Sequence, residues 1–351
     1  TPPVVGKSIR WTDMPNPMCF TFDNTQIVPE ADTRIESRAN PDTSVQFGPY
    51  ILQKPLLSAP MDTVSDENVI RELHRLGGMG TLPRGDLQTN LALCEQFSRE
   101  ETPCLYAIGL GSNAEETVAV ARQFKERGAK MILIDVAHGG MWRVGQSAAE
   151  IQNKLDLTVV AGNIATYEQG LAYKRWGIRI ARVGVGSGGV CTTPETTGVH
   201  VPQLSAVFGV SEVSGLYVIA DGGLWTGGDL SKVIGAGAKL GMFGSRLGMA
   251  MESPGKRTDD GKKIVRGQAS ASYMKDNGVE LGEFREAEGI EAEVVTRETL
   301  VQIVNGLMGG LRSSMSYLGA SNLQELYEIS RFIYVDAAAR QGAKPHLLSK
   351  T

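Results

Sequence analysis

Eight short apolar segments punctuate the chain, each closed by glycine, proline or a polar residue. They cover 55–60, 78–83, 105–110, 131–137, 158–163, 179–186, 216–223 and 240–245. The runs are continuously apolar, not alternating, so both faces of each strand must be covered, as in a parallel sheet. Helical patterns separate most of them. The clearest spans 114–130, with acids in its first turn, bases in its last and Gly128 as a stop. The stretches 66–76, 88–97 and 167–176 read in the same way. Eight strand–helix units predict an α/β fold of the (β/α)₈ TIM-barrel type, and a doubly wound sheet is the alternative with the same alternation. One barrel domain is expected to take up the whole chain, 1–351.

A barrel of this kind gathers its reactive groups in the loops at the C-terminal ends of its strands. Those loops hold the unusual residues of this chain: Met61-Asp62-Thr63, Asp135 with His138, Gly162-Asn163, the segment around Cys191, Asp221-Gly222-Gly223 and Gly244-Ser245. The last two follow strands seven and eight, where exposed backbone N–H groups and a hydroxyl can cradle a phosphate. After strand eight the pattern breaks into a polar stretch, 257–294, with helical character at 269–275. Such charge-rich insertions are commonly solvated excursions, but here a flap closing over the site is also expected. Further helices follow, including 306–321, and 336–351 reads as an exposed tail.

Composition narrows the class. Hydrophobic residues make up 42% and charged residues 21%, with a net charge of −4, which is ordinary for a globular protein. No lysine/arginine run stands out, so neither nucleic acid nor a membrane surface is an expected partner. The four cysteines, Cys19, Cys94, Cys104 and Cys191, lie far apart without a C-x-x-C, which speaks against a disulfide framework or a zinc site and fits a reducing cytoplasm. No run of eighteen apolar residues and no basic-then-apolar leader is present.

The densest chemistry lies in 182–203, RVGVGSGGVCTTPETTGVHVPQ. Gly184, Gly186 and Gly189 satisfy G-x-G-x-x-G, yet they lead into Cys-Thr-Thr-Pro and not into a helix, which argues against a dinucleotide fingerprint. Clustered glycines suit a backbone that approaches a ligand closely. Cys191, flanked by the Thr192 and Thr193 hydroxyls, is placed for nucleophilic attack. From spacing alone a buried structural cysteine and a reactive one stand equal.

This loop resembles the catalytic loop of the IMP dehydrogenase/GMP reductase family. The resemblance extends from about 21 to 335 through TFDNTQIVPE (21–30), PLLSAPMDTVS (55–65), IDVAHG (134–139), VVAGN (159–163), ADGG (220–223), MFGS (242–245) and GGLRSSMSYLGA (309–320), in the family's order. It implies a homotetramer acting on a purine nucleoside monophosphate with a nicotinamide cofactor. Two features favour the GMP reductase branch. The regulatory modules that dehydrogenases usually insert between strands two and three are absent, with only 84–103 filling the gap. The flap lacks the Arg-Tyr pair of dehydrogenases, and VELGEFREAEG (279–289) resembles the reductase pattern instead.

By resemblance, Cys191 attacks C2 of GMP while Thr193 and Glu288 handle the proton of the departing amine, and NADPH then reduces the covalent intermediate to IMP. Asp221 would hold the ribose, and Gly223, Gly244 and Ser245 the 5′-phosphate, with Met61, Gly189, Gly267, Gln268 and Gly289 also on the substrate side. Asp135, Asn163, Gly184 and Gly186 would line the nicotinamide. The carbonyls of Gly186, Gly188 and Cys191 would bind a monovalent cation such as K⁺. Read without the resemblance, Asp221-Gly222-Gly223 is a strand-ending turn, Asp135 a helix cap, Glu288 a surface carboxylate and His138 a loop residue.

The chain departs from the family in places. Gly189 stands where a serine is common, Pro194 where a polar residue follows the threonines, and Gln268 where a methionine meets the base. Gln268 brings an amide able to hydrogen-bond a purine edge. The turn GTLPRG (80–85) also differs from that of reductases, while SAPMDTVS and DVAHG look more like bacterial dehydrogenases. A modified or deoxy purine nucleotide therefore joins GMP as a candidate substrate. An IMP dehydrogenase using NAD⁺ and a non-catalytic purine-nucleotide-binding regulator are the alternatives.

Overall fold

The computed structural model describes residues 19–342. At its centre are eight parallel strands: β1 (Leu56–Ser58), β2 (Gly80–Leu82), β3 (Cys104–Ile108), β4 (Met131–Asp135), β5 (Thr158–Ile164), β6 (Ile180–Val183), β7 (Tyr217–Asp221) and β8 (Leu240–Phe243). Each lies within or against one of the apolar segments. Neighbours in sequence pair in parallel, and β8 pairs back onto β1. The remaining seam, β1 to β2, is closed by Met79 N–H donating to Leu56 O at 3.1 Å and Ser58 N–H to Met79 O at 3.2 Å. This is the (β/α)₈ barrel.

Alternation along the strands explains the apolar runs. Leu57, Leu105, Leu133, Val160 and Ile219 fill the barrel interior. Their neighbours Leu56, Tyr106, Ile134, Ala161 and Val218 pack outward against the helices. Both sets are buried, so no polar face remains. The helix expected at 114–130 occupies Ala114–Glu126; the Asn113 side chain caps its start, and Gly128, at φ +96°, turns the chain after its end.

Three features go beyond the sequence reading. A hairpin, Val45–Phe47 with Tyr50–Leu52, packs Phe47 and Leu52 into the interior cluster at the N-terminal ends of the strands. The Gly48 turn there lies at φ +54° against Met131, where a Cβ would sit 2.7 Å from the thioether sulfur. Thr25–Ile27 pairs antiparallel with Phe332–Tyr334, bringing the two ends of the described chain together. The tail region opens with a helix, Ala337–Gly342, exposed over 337–340, and 343–351 lie outside the described residues.

The polar stretch after β8 contains an antiparallel pair, Lys263–Arg266 with Glu291–Val294, and a short helix, Ala271–Asp276. Arg266 ties it to the loop after β1 through Asp62 at 2.6 Å, while also pairing with Asp276 and stacking over Tyr273. Lys263 anchors its base. The ammonium donates to Ala250 O at 2.7 Å, Met251 O at 3.2 Å and Ser253 Oγ at 3.0 Å, and burial pushes its pKa down to about 8. Among the described residues no helix is long and apolar enough to cross a membrane.

Candidate active site

The C-terminal ends of the strands open into a cavity of about 740 Å³. The residues given a catalytic, substrate, cofactor or cation role by the resemblance all lie on its walls, from Met61 after β1 to Gly289 in the flap, whereas Asp62, Thr63, His138, Gly162 and Thr192 do not line it. Three groups can be distinguished: a thiol relay, a glycine-lined hollow and a buried charge layer.

The relay joins residues far apart in sequence. Cys191 Sγ donates to Thr193 Oγ1 at 3.2 Å, and Thr193 Oγ1 donates to Glu288 Oε2 at 2.8 Å. Backbone bonds hold the partners in place: Thr192 N–H to Glu288 O at 3.0 Å and Ile290 N–H to Val190 O at 2.9 Å. The flap thus forms a two-strand contact with the cysteine loop, and Glu288 is carried to the thiol as part of it. A thiol, a hydroxyl and a carboxylate in hydrogen-bonded sequence can move a proton between sulfur and carboxylate, which is what a thiolate nucleophile with a general acid requires.

Burial separates this thiol from the other cysteines. Cys94 and Cys104 are buried, and burial pushes both thiols up, away from the reactive thiolate form. Cys191 is half-buried in the cavity wall and Cys19 is exposed. Iodoacetamide on the native protein, followed by peptide mass spectrometry, should therefore label Cys191 and Cys19 and spare Cys94 and Cys104. Equal labelling at all four would mean that the barrel opens on the labelling timescale.

The hollow is shaped by close approach. A Cβ on Gly189 would lie 2.9 Å from Ser245 Oγ, and one on Gly244 would lie 3.0 Å from Met61 Sδ. Gly223 would meet the Phe22 ring at 3.1 Å. Gly184 has a different reason for being glycine: at φ +148° its Cβ would sit 1.9 Å from Asp221 O, so it serves the packing of β6 against β7.

The charge layer was not foreseen. Arg182 of β6 points into the barrel and bridges Asp135 of β4 at 2.5 Å and Asp221 of β7 at 2.9 Å. Asp135 and Arg182 are both in register with Gly162 on the intervening strand β5. A Cβ on Gly162 would strike Arg182 Cβ at 2.6 Å, so its glycine lets the pair reach across. Asn163 Nδ2 donates to Asp221 Oδ2 at 2.9 Å and to Gly184 O at 2.6 Å. Burial works against the Arg182 charge, but Asp221 and Asp135 more than offset it, so its pKa is held above the ordinary value. A second arginine, Arg84 after β2, reaches Asp135 at 3.1 Å. The signal for Arg182 was present in the sequence, since a charge inside an apolar strand needs a buried partner.

Breaking this layer should be costly. Arg182→Met leaves Asp221 with only the Asn163 amide and Asp135 with only the Arg84 guanidinium, and is expected to lose about 3–5 kcal/mol of folding stability. A lowered urea midpoint by circular dichroism would show it, and an unchanged midpoint would mean that Arg84, Asn163 and water satisfy both carboxylates.

Among the described residues no group of three or more His, Cys, Asp and Glu side chains is placed to hold a metal ion. The chain matches the IMP dehydrogenase / GMP reductase domain model over residues 19–346. It is 32% identical over 330 residues to an inosine-5′-monophosphate dehydrogenase of Aquifex aeolicus, covering 87% of this chain and 67% of that protein. To an inosine-5′-monophosphate dehydrogenase of Streptococcus pyogenes it is 36% identical over 287 residues, covering 78% of this chain and 58% of that one. It is 31% identical over 328 residues to a GMP reductase of Streptococcus equi subsp. zooepidemicus, with 92% of this chain and 96% of that protein aligned.

Proposed function

The chain belongs to the IMP dehydrogenase/GMP reductase family of purine oxidoreductases, and from that premise we propose that it is a GMP reductase. On this reading it converts GMP to IMP and ammonia at the expense of NADPH. The observation that carries the proposal is the Cys191–Thr193–Glu288 relay in a cavity whose flap, 257–294, holds no Arg-Tyr pair. A dehydrogenase must hydrolyse its covalent intermediate and needs a base to activate water. A reductase needs a proton for a departing amine, and the relay supplies one.

The steps balance. Glu288 takes the Cys191 proton through Thr193, and the thiolate attacks C2 of the guanine. The same path returns a proton to the 2-amino group, which leaves as ammonia, and C2 remains bonded to sulfur as a thioimidate. The nicotinamide cofactor, when bound, supplies the hydride that reduces C2. Collapse then breaks the C–S bond, releases IMP and restores the Cys191 thiolate.

Around this centre, Gly189, Gly223, Gly244 and Ser245 form a small-residue hollow suited to the 5′-phosphate. Asp221 Oδ2 is already bound by Asn163 and paired with Arg182, so a ribose hydroxyl would use its Oδ1 edge. Asp135, Asn163, Gly184 and Gly186, which also line the cavity, would face the nicotinamide. The carbonyls of Gly186, Gly188 and Cys191 lie on one loop, and neutral oxygen donors of this kind fit a monovalent cation such as K⁺. Such an ion would stiffen the loop that carries the thiol.

The test is nicotinamide absorbance in two reactions, GMP with NADPH and IMP with NAD⁺. Loss of absorbance in the first supports the reductase. A gain in the second would overturn it in favour of the dehydrogenase, the activity named for the Aquifex and Streptococcus pyogenes relatives. Nucleotide binding with silence in both reactions would favour a non-catalytic regulator or a modified purine substrate.

A further inference from the structure

A charged side chain is buried where the flap joins the barrel. Lys263 is 1% exposed, and the four oxygens that its ammonium meets are all neutral. They are Ala250 O at 2.7 Å, Met251 O at 3.2 Å, Ser253 O at 2.5 Å and Ser253 Oγ at 3.0 Å. An ammonium has three donors, so every proton finds an oxygen in this nest. Burial and the Arg257 charge work against the ammonium, while Glu252 and Asp66 support it. A buried charge is tolerated only where it is fully hydrogen-bonded, as here. The stem has a passage made for it: a Cβ on Gly255 would lie 2.9 Å from Lys263 Cγ and 3.1 Å from its Cδ.

The nest is also where the flap leaves the barrel and returns to it. Its oxygens follow the short helix Ser245–Gly248, whose first residue lies in the glycine-lined hollow. Ser253 Oγ donates back to Gly248 O at 2.6 Å. The returning chain is bonded to the same segment, with Met251 N–H donating to Glu298 O at 2.9 Å and Leu300 N–H to Glu252 Oε2 at 2.8 Å. Lys263 itself opens the outgoing flap strand. It stands opposite Val294, and Arg266 stands opposite Glu291, three positions after the relay carboxylate Glu288. The ammonium therefore holds one end of a strand pair whose other end leads to Glu288.

We propose that Lys263 is a positioning residue: its ammonium acts as a tethered cation in the oxygen nest and pins the flap at its hinge, so that Glu288 stays in line with Thr193 and Cys191. The inference rests on the GMP reductase reading for the reaction that measures it. Proton transfer is sensitive to such alignment, and a misplacement of about 1 Å costs on the order of 10²-fold. Nucleotide binding depends less on the pin, because β8 and the Gly248 N–H bond to Gly244 O at 2.9 Å set Gly244 and Ser245.

The experiment is chemical rescue. Lys263→Ala removes the atoms of one n-propylamine, so propylammonium can be returned to the nest, with 1-propanol and choline chloride at equal ionic strength as controls. The readouts at pH 7 are kcat, calorimetric GMP binding, and amide hydrogen exchange at 263–266 and 291–294. Lys263→Ala should lower kcat about 10–100-fold, leave the Kd of GMP nearly unchanged and speed exchange in both flap strands. Propylammonium should restore part of kcat and slow the exchange, and neither control should. If Lys263→Ala does not fold, Ser253→Ala removes one oxygen of the nest and should give the same pattern with a smaller loss. A folded Lys263→Ala protein with wild-type kcat and flap exchange would overturn the proposal. So would a loss of GMP binding as large as the loss of kcat, or a rescue that 1-propanol provides equally well. Propylammonium that restores neither kcat nor protection would overturn the cation role. Wild type that does not turn over GMP, but whose flap exchange responds to Lys263→Ala and to propylammonium as described, would overturn the reductase reading and leave the hinge pin standing.

Discussion

Cys191→Ala is expected to remove GMP turnover, lowering kcat on the order of 10⁴-fold or more, while the protein still binds GMP. The sulfur forms the bond that lets the amine leave before reduction begins, and no other residue on the cavity wall is placed to replace it. The other cysteines lie elsewhere, two of them buried within the fold. Alanine removes the thiol without adding bulk beside Gly188, whose Cβ would sit 3.3 Å from Cys191 Cβ, so the loop should keep its shape. The measurement is single-turnover absorbance with saturating GMP and NADPH, paired with calorimetric GMP binding. Residual turnover within tenfold of wild type would exclude a covalent route. Protection of Cys191, but not Cys19, from iodoacetamide by GMP would support the same conclusion independently.

Glu288→Gln should lower kcat by about 10²–10⁴-fold with a small change in GMP binding. Glutamine keeps the size of the side chain and can still accept from Thr193 Oγ1, so the 2.8 Å contact survives in shape. It cannot carry a proton between sulfur and amine. The loss should therefore fall on deamination, and a reaction started from the covalent intermediate should recover much of the rate. Thr193→Val cuts the same path at its middle, because the 3.2 Å thiol contact and the 2.8 Å carboxylate contact share one hydroxyl. Combining it with Glu288→Gln should cost little more than the worse single change, since the two act as a unit. Full additivity would show that they serve separate steps.

The barrel was legible because each strand is buried on both faces. That leaves an unbroken apolar run, and the loop glycines and prolines mark where each run ends. The helix at 114–126 was legible for a similar reason, with its cap, charges and stop all local. The hairpin at 45–52 escaped notice because its strands are three residues each and its burial depends on the barrel floor it plugs. The flap pair 263–266 with 291–294 was hidden in the same way. Half of its residues are charged, and the pairing joins segments separated by a helix and a loop.

For the site, the sequence by itself determined the inventory: a barrel, a cysteine loop rich in glycine, and acids and small residues at the strand ends. These are local facts, set by side-chain type and by where the apolar runs stop. Only the tertiary structure decided the partnerships. Glu288 reaches Thr193, 95 positions away in sequence, because the flap strand pairs with the cysteine loop. Arg182 neutralises Asp135 and Asp221 because strand register places all three in one layer, with Gly162 leaving room between. Arg84 reaches the Gln268 amide because the β2 loop and the flap meet over that layer. Each of these contacts depends on which chain segments the closed barrel brings face to face, and spacing along one strand or loop does not encode that.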